Sequence, residues 1–174
     1  MSANILSSYS PEDVKIIISN NEFSHVISGL AEGSFVSVTR DTATTSLVIG
    51  ADMTAMRVRR KNRSGTINIT LHQGGDSNDV LSQLLKNDED DTGWKWLFRI
   101  SVISASDRSF FFSDQAYIET LPEVSFSTEG ENRSWAIKCL NIDSHVGGGG
   151  RLDPATVDTL RSLGYEPNEY WVEQ

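Results

Sequence analysis

Thr66-Ile-Asn-Ile-Thr-Leu71 alternates without a break, with Ile67, Ile69 and Leu71 on one side and Thr66, Asn68 and Thr70 on the other. Successive side chains of an extended chain point to opposite faces, so this stretch predicts a strand with one buried face. The same period recurs on both sides of it. Val14, Ile16 and Ile18 share one face of Asp13–Ile18, and Phe35–Thr39 and Met56–Arg60 alternate similarly. Trp94, Trp96, Phe98, Ile100 and Val102 fall on one face of an expected long strand. A turn at Ala105–Ser109 precedes Phe110–Glu119, then Glu123–Ser127, and Trp135, Ile137 and Cys139 line a last strand over Ser134–Leu140. Enrichment in β-branched and aromatic residues supports these assignments, and the expected class is mainly β.

Helical spacing is clear in one place. Val80, Leu81, Leu84 and Leu85 form a single apolar stripe. Asp76 is placed to cap that helix, with Asp79 in its first turn where a carboxylate suits the dipole. The helix is expected over about 76–87, followed by an acidic turn, Asp88–Asp91. Arg40–Thr54 shows little alternation and is long for an unstructured connection, so it is either functional or a longer hairpin. Gly147–Gly150 reads as a flexible hinge. A short helix is expected at Pro154–Leu163, capped by Asp153 with proline in its first turn and ended by Gly164.

The 174 residues suit one domain, 1–174, with a loop or hairpin at about 40–63 and a C-terminal extension at about 145–174. The 24 acidic and 15 basic residues leave a formal net charge of −9, which argues against general attraction to nucleic acid. One cysteine, Cys139, excludes an internal disulfide framework, and its strand neighbours point to a buried, inert thiol. The opening MSANILSSYSPEDV lacks the charged start and apolar core of a signal peptide, and no apolar run is long enough for a membrane-crossing helix. The sequons at Asn62, Asn68 and Asn132 are therefore chance matches, and folding in a cytoplasm is expected.

Catalytic chemistry finds no residues to rest on. His25, His72 and His145 show no metal-ligand spacing, and the chain has no nucleophile elbow, phosphate loop or dinucleotide fingerprint. Asp88-Glu-Asp-Asp-Thr-Gly93 resembles the start of a calcium loop, but Arg99 stands at the twelfth position, where the loop needs a bidentate glutamate. No enzyme activity, metal or cofactor is expected.

Arg57, Arg59, Arg60, Lys61 and Arg63 depart most from the background: five of the 15 basic residues within seven positions of an acidic chain. On a strand, Arg57, Arg59 and Lys61 share one face, and Met56, Val58 and Arg60 the other. The cluster is a solvated edge strand that discourages uncontrolled pairing, a nucleic-acid contact, or a patch that meets an acidic surface of another copy. The opposite sign of the rest of the chain favours contact between copies over nucleic acid.

Several stretches together resemble the tail tube proteins of contractile-tailed phages: Ser77-Asn-Asp-Val-Leu-Ser-Gln-Leu-Leu85 after Gly65–Leu71, Tyr9-Ser-Pro-Glu-Asp-Val14, and Ile27-Ser-Gly-Leu-Ala-Glu-Gly-Ser-Phe-Val36. Gln115-Ala-Tyr-Ile118, Leu121-Pro-Glu-Val124 and Arg133-Ser-Trp-Ala-Ile137 continue the match in order, so that it spans about residues 9–143. The resemblance implies a two-sheet β-sandwich or barrel with one flanking helix. It implies six copies closing into a ring, and rings stacking into a tube inside a sheath, with sheath subunits, baseplate and terminator proteins as partners. DNA would pass through the lumen without specific binding, with the protein residing in the virion tail and assembled in the host cytoplasm. Six copies giving four strands each would close a wall of backbone diameter about 45–50 Å at a tilt of about 40°, leaving a bore on the order of 35 Å. A DNA duplex, whose grooves are about 6–12 Å wide, fits such a bore, and a wall that repels phosphate lets it slide.

In that family the long segment between early strands reaches toward the next ring. Here it corresponds to Arg40–Arg63, with Leu47, Val48, Ile49, Met53 and Met56 as expected contacts and the basic cluster as charge partners. An ordinary surface hairpin is the plainer reading. Tyr165 to Trp171 offers a second contact between subunits. Rival functions are the inner tube of a secretion system or tailocin and, more distantly, a monomeric β-sandwich binding module.

Overall fold

The computed structural model describes residues 6–173, so the residues that open the N-terminal reading lie partly outside it. In chain order the strands are β1 (Val14–Ser19), β2 (Ser24–Val26), β3 (Val36–Arg40), β4 (Thr45–Ile49), β5 (Ala55–Arg59), β6 (Gly65–Leu71), β7 (Phe98–Ser104), β8 (Phe110–Thr120), β9 (Arg133–Cys139) and β10 (Asp143–His145). The helices are α1 (Ser77–Asp90), between β6 and β7, and α2 (Pro154–Ser162) near the end. The molecule is mainly β, as expected, with two unequal sheets. Eight strands form one, in the order β2-β1-β7-β8-β9-β6-β3 with β10 on β8, and β4 and β5 pair with each other.

Register explains the core. Ile16 stands opposite Val102, Ile18 opposite Ile100, and Ile118, Ile137 and Ile67 align across β8, β9 and β6. One face of the large sheet therefore carries a continuous apolar row, and it is buried. Each fully buried isoleucine contributes about 1.5–3 kcal/mol. The chain leaving β2 runs on to β6, where Leu30 bridges Leu71 and the Ala31 amide donates to the Thr70 carbonyl at 3.0 Å. That bridge joins the two flanks of the sheet, which wraps its apolar face inward as a barrel. Gly65, at the start of β6, is required to be small: a Cβ there would collide with the Thr39 carbonyl oxygen and the Ile142 side chain.

α1 packs Leu81, Leu84 and Leu85 into the barrel core. Its start differs from the expectation. Asp76 is itself helical in backbone and makes no capping bond. The buried Ser77 organises this end instead, its Oγ accepting the Ser28 amide at 2.8 Å and pairing with His25 Nε2 at 2.9 Å. The Trp135 indole donates to Asn78 Oδ1 at 3.0 Å, tying the helix to β9. The helix also runs on to Asp90, through most of the expected acidic turn. Packing of its leucines holds it, and no glycine or proline interrupts it before Gly93.

One expected strand is shortened and another is absent. Trp94–Leu97 is a turn closed by the Leu97 amide on the Trp94 carbonyl at 3.3 Å, so β7 begins only at Phe98 and Trp94 is 86% exposed. Glu123–Ser127 forms no ladder; Arg133 holds this loop, donating to the Ser125 carbonyl at 3.2 Å and lying over Phe126. Asp153 caps α2 as expected, accepting the Thr156 amide at 3.0 Å. The glycine run is not a free hinge. Gly147 donates to Ser109 Oγ at 3.0 Å, Arg108 donates to the Gly150 carbonyl, and both residues belong to the turn after β7.

Candidate assembly interface

The Arg40–Thr54 segment, with little alternation in sequence, contains β4 and the turn of a hairpin. Thr45 pairs with Arg59, Leu47 with Arg57, Val48 with Met56 and Ile49 with Ala55. The turn between the strands is closed by the Gly50 amide on the Thr54 carbonyl at 2.8 Å. Asp52 braces it, accepting from the Thr54 hydroxyl at 2.6 Å and from the Thr54 amide, and these bonds hold its carboxyl below the usual range. Met53 in the same turn has φ of 67°, the one positive φ outside glycine among the described residues. Left-handed backbone costs a residue with a Cβ about 1–2 kcal/mol, so this methionine is held at a strained position.

Both faces of the hairpin are open. Leu47 is 66% exposed and Met53 80%, and Val48, Ile49 and Met56 are exposed as well. At the root, the hairpin and the barrel enclose a cleft of about 980 Å³. Arg57, Arg59, Arg60, Lys61 and Arg63 all line it, so the structure gathers the whole basic cluster into one place. It adds Arg40, whose guanidinium donates to the Ile142 carbonyl at 3.3 Å. Sequence spacing hid Arg40, which lies well upstream and reaches the site only because β3 pairs with β6. Asp114 and Asp143 are the carboxylates in the cleft lining, leaving the cations in excess.

Among the described residues the ion pairs are Lys138–Asp41 and Arg161–Glu166, and neither draws on the cleft cations. Arg60 is held by Ser46 Oγ at 2.9 Å. The Lys138–Asp41 pair fixes the hairpin root to β9; its hydrogen bond lowers the Asp41 pKa and raises that of Lys138.

A second concavity of about 500 Å³ lies between β2 and α1, with Phe23, Val80, Leu84 and Trp96 as its apolar lining and Asp79, Gln83 and Asn87 beside them. Just beyond it, α1 ends in Asp88, Glu89 and Asp90, with Asp91 following and no basic residue in its last turn. Carboxylates there face the negative end of the helix dipole.

Burial pushes the Cys139 thiol up to about 11, leaving it protonated near neutrality and a poor nucleophile. Among the described residues no group of three or more His, Cys, Asp or Glu side chains is placed to hold a metal ion.

The fold is similar to the tube-terminating cap of the anti-feeding prophage, with a TM-score of 0.52 over 84% of this chain and 96% of that one. It is similar as well to the sheath/tube terminator of the PVC extracellular contractile injection system in its extended state, with a TM-score of 0.53 over 81% of this chain and 99% of that one. Both are 8% identical to it in sequence, a likeness of fold alone. Structural protein ORF10 of Pseudomonas phage KPP10 is 36% identical over 168 residues, covering 95% of this chain and 97% of the relative. The model of the bacteriophage PhiTE tail tube protein family matches residues 6–147, which include the hairpin, its basic cleft and α1. This chain belongs to that tail tube family.

Proposed function

We propose that this protein is the structural subunit of a phage tail tube, in which six copies close into a ring and rings stack into a hollow conduit for DNA. The supporting observation is the β4–β5 hairpin, with exposed apolar residues along it and a basic cluster toward its root whose cations form no ion pair among the described residues. An exposed apolar element beside an unneutralised charge patch is what a contact between subunits requires. The whole chain acts as one unit, the hairpin and its basic root contacting the neighbouring ring, with sheath and baseplate proteins as further partners. The net charge of −9 suits a conduit that does not grip phosphate.

The likeness of fold to two terminators favours a second reading, a ring that ends a tube and does not stack. Negative-stain microscopy across a concentration series separates the two. Hollow tubes support the tube subunit, and single rings at every concentration support the terminator. A monomer throughout counts against both.

A further inference from the structure

The hairpin and α1 lie at opposite ends of β6: Gly65 follows the hairpin root and Leu71 leads into α1. A seven-residue strand spans about 20 Å, so the hairpin root and the chain's exit toward α1 are that far apart along β6. The two elements carry the halves of a complementary pair. The hairpin offers Ile49 and Met53 at its tip, Leu47 opposite Arg57 midway, and Arg59 nearer its root. The helix end offers the apolar groove of Phe23, Val80, Leu84 and Trp96, followed by the carboxylates Asp88–Asp91.

The spacings agree. Ile49 pairs with Ala55, two residues before Arg57 and four before Arg59 on the same strand, so the apolar tip lies about 7 and 13 Å from these two arginines. Val80 and Leu84 precede Asp90 by ten and six helical residues, a distance of about 9–15 Å along the axis. Seating the tip in the groove therefore brings the root arginines to the acidic end of the helix. The two surfaces differ, so the contact between copies is heterologous, the kind that propagates from one copy to the next.

We infer that the groove between β2 and α1, with the acidic end of α1, is the receptor for the hairpin of a second copy of this chain in the next ring. This rests on the tube reading and names the surface that the hairpin meets. A paired charge reversal tests it. Arg57→Glu with Arg59→Glu, and separately Asp88→Lys with Asp90→Lys, should each raise the concentration needed for tube formation roughly tenfold or more. The four substitutions in one chain should restore it to within about threefold of the wild type.

A second measurement does not depend on charge. Ile49→Cys with Gln83→Cys should form disulfide-linked ladders under mild oxidation, against a background in which native Cys139 is buried. Failure of both rescue and cross-linking, while the wild type assembles, overturns the receptor assignment and leaves the tube reading standing. A wild type that never assembles overturns the tube reading itself.

Discussion

Met53 spends stability on a left-handed turn position that glycine would occupy without strain. Met53→Gly should raise the stability of the unassembled chain by about 0.5–1 kcal/mol in urea unfolding, since relief of strain exceeds the lost chain stiffness. The same variant should assemble less readily, because it removes an apolar side chain from the tip. Gly65 is the opposite case. Gly65→Ala should cost about 1–3 kcal/mol, as the new methyl is forced against the backbone of β3.

The Asp41–Lys138 pair has a defined pH window. Asp41 is depressed below its ordinary 3.8, so its contribution is present above that pH and fades as pH falls through the lowered value. Lys138 is raised above its ordinary 10.5, so its contribution is present below that pH and is lost as pH rises through the raised value. Melting temperatures of the wild type and Asp41→Asn should differ near neutrality and converge at both extremes.

At the level of elements, the sequence read most clearly where one face of a strand is buried. β1, β6, β7 and β9 each place their alternating apolar residues in the core, and period two is the imprint of that asymmetry. β4 left no such imprint, because Leu47, Val48 and Ile49 are all exposed and no buried face sorts them. The tryptophan alternation misled for another reason: a local turn at Trp94–Leu97 overrides it, and Trp96 reaches the core from outside any strand. The basic residues of the candidate interface were legible as a cluster, whereas Arg40 and the groove beside α1 depend on tertiary pairing that spacing does not encode. The acidic end of α1 yields its own prediction: Asp90→Lys should stabilise the unassembled chain by about 0.3–1 kcal/mol in thermal or urea melts, by relieving the clash with the helix dipole.

For the molecule as a whole, an acidic body with one concentrated basic cleft makes association sensitive to ionic strength. Raising salt from about 50 to 500 mM shortens the screening length from over 10 Å to about 4 Å, so the concentration needed for assembly should climb. Turbidity or sedimentation across that series is the check, and a flat response would mean that apolar contact alone drives stacking.

The way the hairpin is rooted also sets how the molecule bears a pull. Its two legs continue directly into β3 and β6, which are joined to each other by five register pairs from Val36–Ile69 to Arg40–Gly65. Traction on the tip therefore draws both strands the same way and strains little between them. The load passes instead to the seam between β6 and β9, where seven paired positions from Gly65–Cys139 to Leu71–Arg133 resist sliding together. Hydrogen bonds sheared side by side must break almost at once, whereas those of a peeled edge fail singly, so the arm is anchored on a seam that is loaded in shear.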